Sequence, residues 1–212
     1  AATPTPTPPP PSPLPPLVVL VPPSLTSSNP LLSLLSHSSI PTCGTFSHPP
    51  SPTVPSLLLN APLPSLPSSR SSAHAKNLLL RDKKHGLYLV TARHDADTNA
   101  RKIAMDLNLK ANFRLADEKY LRGHLKVERG SLGPLALFND ASAGVEPGEG
   151  GPQPTATVKF VMDAKLKGVD VVYSHPGRCD WSTGIRTKDL VRFVEGTGRE
   201  VIWVDFPAKA EG

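Results

Sequence analysis

The chain has 212 residues, enough for one domain of ordinary size plus a tail, and its 23 basic and 18 acidic side chains give a net charge of +5. The only cysteines are Cys43 and Cys179, with no Cys-x-x-Cys pair, which argues against a disulfide-stapled scaffold or a thiolate metal site and makes a reducing compartment the default. No stretch approaches the roughly 18 to 20 continuous apolar residues of a membrane span, so no membrane partner is expected.

Charge and proline divide the chain. The first charged residue is Arg70, and 20 of the 26 prolines precede it. Residues 1–69 are a Pro/Ser-rich low-complexity segment in which runs such as 8–11 favour polyproline II over helix or sheet. Its apolar patches (17–21, 31–35 and 57–59) are short and interrupted. The segment is predicted to be a disordered linker, a transit-type leader or a Pro-rich docking tail. It is Ser-rich and free of acids, but it lacks the arginines of organelle leaders. Location is accordingly cytoplasmic or organellar. The globular domain is placed at 70–212.

In chain order, residues 77–81 and 87–91 are strand-like runs flanking the polar turn 82–86, a hairpin signal. Ala100, Ile103, Ala104 and Leu107 share one helix face within 97–109, with Asp95 or Asp97 as cap. A short strand at 113–115 precedes a helix at 117–125. Residues 135–138 and 157–162 are predicted strands, and the Gly/Pro/Ala-rich stretch 139–154 between them is a surface insertion. A strand at 169–174 ends at His175-Pro176. Thr187 caps a helix to about 195, ended by Gly196 or Gly198, and 200–206 closes the domain as a strand. Strands outnumber helices and alternate with them irregularly, which predicts an α+β fold: a mixed, mostly antiparallel sheet with packed helices.

Three runs carry the chemistry: AKNLLLRDKK at 75–84, GSLGP at 130–134, and HPGRCDWST at 175–183. Together, in this order, they resemble the YbaK/ProX superfamily of prolyl-tRNA editing domains. KNLLLRDKK is close to the KNLFLRDKK pattern of the free-standing, alanine-specific members, and GSLGP fits the family's Gly-x-x-x-Pro loop. The resemblance covers about two-thirds of the chain. It implies a trans-editing aminoacyl-tRNA deacylase acting on mischarged tRNA(Pro), alanyl-tRNA(Pro) first and the cysteinyl form second. Prolyl-tRNA synthetase would be a further partner, and no cofactor or metal would be needed. The alternative is a catalytically inactive module of the same fold that holds tRNA or the synthetase. The basic net charge suits RNA.

An aminoacyl ester is already reactive, so its hydrolysis needs a placed water and oxyanion stabilisation more than a strong nucleophile. Gly130 and Gly133 allow close backbone approach, and Pro134 fixes the loop exit. By resemblance, Lys76, His175 and Gly130 are the catalytic candidates. Lys76 would meet a phosphate or ribose as a point charge, and His175 would hold the water or contact the substrate amine. Asn77, Ser131, Leu132, Gly133, Pro134 and Trp181 are the substrate-binding candidates, with Trp181 able to stack on the terminal adenine. His74, His85, His94 and His124 are scattered without ligand spacing. A second, small site is physically motivated because one methylene gives only about 1–3 kcal/mol of discrimination. The chain departs from the family in two places. HPGRCDWST stands where HPLxNTATT is usual, so Cys179 replaces an asparagine and Trp181 an alanine. The Pro/Ser-rich segment also stands where a helix–strand–helix unit usually precedes the first motif.

Overall fold

The computed structural model describes residue 31 and residues 40–66, 69–140 and 158–209. The predictions made for residues 1–30 and most of the insertion after Asp140 fall outside the described residues.

One mixed eight-stranded sheet organises the domain. Its strands are β1 (Thr42–Ser47), β2 (Ser72–Asp82), β3 (Gly86–Arg93), β4 (Arg114–Leu115), β5 (Val158–Asp163), β6 (Val171–Ser174), β7 (Trp181–Arg186) and β8 (Val201–Val204). The order is β1-β7-β6-β2-β3-β5-β8, with β4 also on β2. β1/β7, β2/β3, β2/β4 and β6/β7 are antiparallel; β2/β6, β3/β5 and β5/β8 are parallel. Among the described residues of 40–209, the α-helices are α1 (Val54–Asn60), α2 (Ala100–Asp106), α3 (Glu118–Tyr120, continued by a π turn at Leu121–Leu125) and α4 (Thr187–Gly196).

Period-2 alternation in β2 feeds two cores. Ala73, Ala75 and Leu79 join the cluster covered by α4 through Leu190, Phe193 and Val194. Leu80 faces the opposite cluster, with Ile103 and Ala104 of α2. The hairpin prediction holds. Asp82 accepts from the Lys84 and His85 N–H groups at 2.8 and 2.9 Å, and Gly86 closes the turn at φ +87°. Asp82 also accepts from Asn112 N at 2.9 Å, which holds its carboxyl below the usual range.

Four differences from the sequence reading have physical causes. Residues 135–138 are not a strand: Pro134–Asn139 is a buried 3-10 turn. A short apolar run does not reveal its period, and Pro134 supplies the φ that a helical first turn needs. α2 is capped by Asn99, whose side chain accepts from Arg101 N, rather than by Asp95 or Asp97. β7 (Trp181–Arg186) lies between His175-Pro176 and the helix from Thr187, where the sequence reading assigns no element. Finally, residues 40–66, assigned to the low-complexity segment, run against the domain. β1 pairs with β7, and α1 starts with Thr53 as N-cap in a capping box with Ser56 and with a proline in its first turn. Proline is tolerated there because its missing N–H would lack an intrahelical partner anyway. A strand and a helix thus stand ahead of β2.

Candidate active site

β2 shares one edge between two neighbours. β6 pairs with its first residues up to His74, and β4 with Leu80 and Arg81. Between them, residues 75–79 have no partner strand on that side among the described residues. A cleft of about 590 Å³ opens at this gap. Its floor is Ala75, Lys76, Asn77, Leu78 and Leu79. One wall is Ser51–Val54 and Leu57 at the start of α1; the others are residues 115–118 with Leu121, then Arg129, Gly130 and Leu132, and finally His175.

The three motif runs therefore meet at one place. Gly130 sits at φ +82°, and a Cβ there would fall 2.4 Å from Pro52 Cβ. Gly133 has an ordinary φ of −146°, but a Cβ would lie 2.1 Å from the His175 carbonyl oxygen. The glycines thus lock the second motif to the α1 wall and to the third motif. Since a backbone carbonyl cannot yield as a flexible side chain does, Gly133→Ala is expected to cost roughly 1–3 kcal/mol. Urea unfolding measures this, and an unchanged midpoint would refute the close packing.

Lys76 borders the cleft, but its place in the strand alternation puts its side chain with Leu78 and Leu80. There Nζ donates to the Ala96 carbonyl. Burial lowers its pKa, and Asp97 and Asp95 act against that shift. Asn77 lies on the opposite, cleft-facing side, with its Oδ1 accepting from Thr91 Oγ1 at 2.8 Å. His175 is buried, with Nδ1 2.8 Å from the Trp181 carbonyl and Nε2 3.0 Å from that of Ser51. Burial lowers its pKa, and both carbonyl contacts oppose the shift. A neutral imidazole has one N–H and can satisfy only one of these carbonyls at a time. In this arrangement His175 ties the α1 wall to β7.

Gly130 and Leu132 line the cleft; Ser131, Gly133, Pro134 and Trp181 are not among its lining residues. The Ser131 N–H is used within the turn, donating to Glu128 O. Trp181 starts β7 opposite Ser47. Sequence reading missed Ser51–Leu57, whose one signal is the Thr53-x-x-Ser56 cap. Among the described residues, no His/Cys/Asp/Glu group has the grouping to hold a metal ion, and no helix is long and apolar enough to cross a membrane.

Comparisons with known proteins place the chain in a family. A family profile described as the aminoacyl-tRNA editing domain matches residues 63–193. Prolyl-tRNA synthetase associated domain-containing protein 1 of Xenopus laevis is 38% identical over 138 residues, covering 63% of this chain and 74% of that protein. Prolyl-tRNA editing protein ProX of Acetoanaerobium sticklandii is 30% identical over 124 residues, 58% of this chain and 67% of its own. A solved structure described as a candidate trans-editing enzyme for prolyl tRNA synthetase superposes with a TM-score of 0.55 at 15% identity. It covers 91% of this chain and 99% of its own, a likeness of fold. With the profile spanning more than half of the chain and the motif runs converging on one cleft, this protein belongs to the aminoacyl-tRNA editing domain family, of YbaK/ProX type.

Proposed function

We propose that the cleft hydrolyses the ester between an amino acid and the 3′ end of tRNA, acting in trans on mischarged tRNA(Pro), with alanyl-tRNA(Pro) as the first substrate. The observation that carries this reading is the meeting of Asn77, Gly130 and His175 at the open edge of β2. Water adds to the ester carbonyl and the bond to the ribose oxygen breaks. That oxygen leaves with a proton, and the free amino acid is released. Gly130 lets backbone approach the developing oxyanion, where aimed N–H groups contribute a few kcal/mol. Asn77 borders the acyl group, and the apolar side chains of Ala75, Leu79 and Leu132 suit a methyl side chain. Lys76 must release the Ala96 carbonyl and swing around the open edge of β2 before its amine can meet the substrate. Prolyl-tRNA synthetase, the source of the mischarged tRNA, is the second partner, in the cytoplasm or an organelle.

A non-catalytic tRNA- or synthetase-binding module is the second reading. It is favoured by His175, both of whose ring nitrogens face backbone carbonyls, and by the engaged amine of Lys76. The test is release of alanine from alanyl-tRNA(Pro) by the full chain, with cysteinyl-tRNA(Pro) beside it. Turnover is expected, and Lys76→Ala should reduce it on the order of 100-fold or more while the protein stays folded. A folded wild-type protein that releases neither amino acid leaves the binding module as the better account.

A further inference from the structure

Arg81 and Arg114 are Cα partners across β2 and β4. Directly opposed residues of an antiparallel pair project on the same face, where like charges destabilise the sheet. A third cation joins them. The Arg81 Cζ lies 4.7 Å from the centroid of the Tyr120 ring, and Lys119 Nζ lies 5.3 Å from the same centroid. His124 also neighbours that ring, near-parallel at 6.3 Å and 12°. Of the nearby carboxylates, Glu118 and Glu128 both pair with Arg122, and Asp117 is in none of the ion pairs among the described residues. None of the ion pairs among the described residues uses Arg81, Arg114 or Lys119. Three cations are thus gathered without an ion pair among the described residues, two of them over the Tyr120 ring, and a guanidinium stacked on a ring can still donate from its edge to an oxyanion.

The position of this cluster tells what it can bind. β4 runs directly into Leu115, Ala116, Asp117 and Glu118, which line the cleft. Asn77 and Arg81 share a face of β2 because they are an even number of residues apart. Four residues of strand separate their Cα atoms by about 13 Å at about 3.3 Å per residue. An ester at Asn77 therefore puts the terminal nucleoside over the stretch between them and brings the first internucleotide phosphates to Arg81.

We infer that Arg81, Arg114 and Lys119 form a phosphate-binding platform for the 3′-terminal strand of the tRNA, with β2 setting its distance from the reacting ester. This rests on the deacylase reading for the placement of the ester, but not for the binding of phosphate. The platform holds the polynucleotide by charge, without reading bases, so it favours any tRNA end of the right length.

The experiment uses the full chain and the variant Arg81→Gln/Arg114→Gln/Lys119→Gln, with Arg114→Gln alone as a variant that leaves the Tyr120 contacts in place. Affinity for tRNA is measured across salt concentrations. At low salt the triple variant should bind on the order of 100-fold more weakly, and its log–log salt slope should be shallower by about 2, the value for three single-strand phosphate contacts. Arg114→Gln alone should lower the slope by about 0.7. In parallel, hydrolysis of alanyl-tRNA(Pro) is compared with that of 3′-O-alanyladenosine, which has no phosphate. The triple variant should raise KM for the first and leave the second unchanged. An unchanged salt slope, or an equal loss on both esters, overturns the platform. If the wild-type protein hydrolyses neither ester but loses its salt slope in the variant, the deacylase reading fails and the platform stands.

Discussion

Replacing Arg199 with methionine should destabilise the protein by about 3–5 kcal/mol, because it leaves a buried carboxylate without its counter-charge. Arg199 and Asp140 are the most deeply buried ion pair among the described residues, with side chains 2% and 0% exposed and Nη2 2.5 Å from Oδ2. The guanidinium also donates to the Val158 and Thr197 carbonyls at 2.8 and 3.0 Å, and Asp140 Oδ2 accepts from the Val158 N–H at 3.0 Å. His124 Nδ1 lies 3.5 Å from the other carboxylate oxygen. Removing both charges by Asp140→Leu/Arg199→Met should recover part of the loss, since the penalty comes mainly from an uncompensated charge. Urea unfolding at neutral pH measures both. A single-variant loss below about 1 kcal/mol would mean that the pair is solvated and behaves as a surface bridge.

The second large effect is expected on removing residues 1–68. The cut respects the compositional boundary but crosses the fold. It strips β1 from β7 and deletes the Ser51–Leu57 wall of the cleft. Three buried side chains lose backbone partners: Tyr173 Oη its bond to Cys43 O, His175 Nε2 its contact with Ser51 O, and His74 Nε2 its contact with Ala61 O. Each orphaned buried group costs about 1–3 kcal/mol, and together these approach the whole stability of a domain this size. The shortened chain should therefore unfold at a much lower temperature, or without a cooperative transition, and show no deacylation. Thermal unfolding beside the full chain decides it. A fragment of equal stability would mean that β1 and α1 only rest on the surface.

The sequence carried much of this fold where local signals were strong. The Asp82–Gly86 turn between two apolar runs and the Ile103/Ala104 stripe both name their element types directly. It failed where an element depends on a distant partner. Thr42–Ser47 looks like low-complexity linker until β7 is beside it, and residues 135–138 look like a strand until Pro134 turns them. The site was legible as a set of motifs but not as an arrangement. The strand period puts Lys76 and Asn77 on opposite faces, but nothing local in KNLLL names their partners, the Ala96 carbonyl and Thr91. Of the two carbonyls on His175, that of Trp181 lies within the third motif run, but that of Ser51 comes from 124 positions earlier, where no motif could show it.

The cleft exists because two different strands share one edge of β2 and do not meet. Such a gap has the properties of its frame. Its ends are set by hydrogen-bond ladders at His74 and Leu80, so its length comes in whole residues and cannot drift by fractions of an ångström as a pocket between packed side chains can. Core substitutions away from the lining side chains Ala75, Leu79, Leu121 and Leu132 should alter stability without altering the length of the gap. A one-residue slip of β4 would instead change its length by about 3.3 Å in a single step. On the proposed reading the length open to substrate is thus a discrete variable, and a change of preferred nucleotide length is expected to require insertion or deletion next to β4 or β6 rather than gradual repacking.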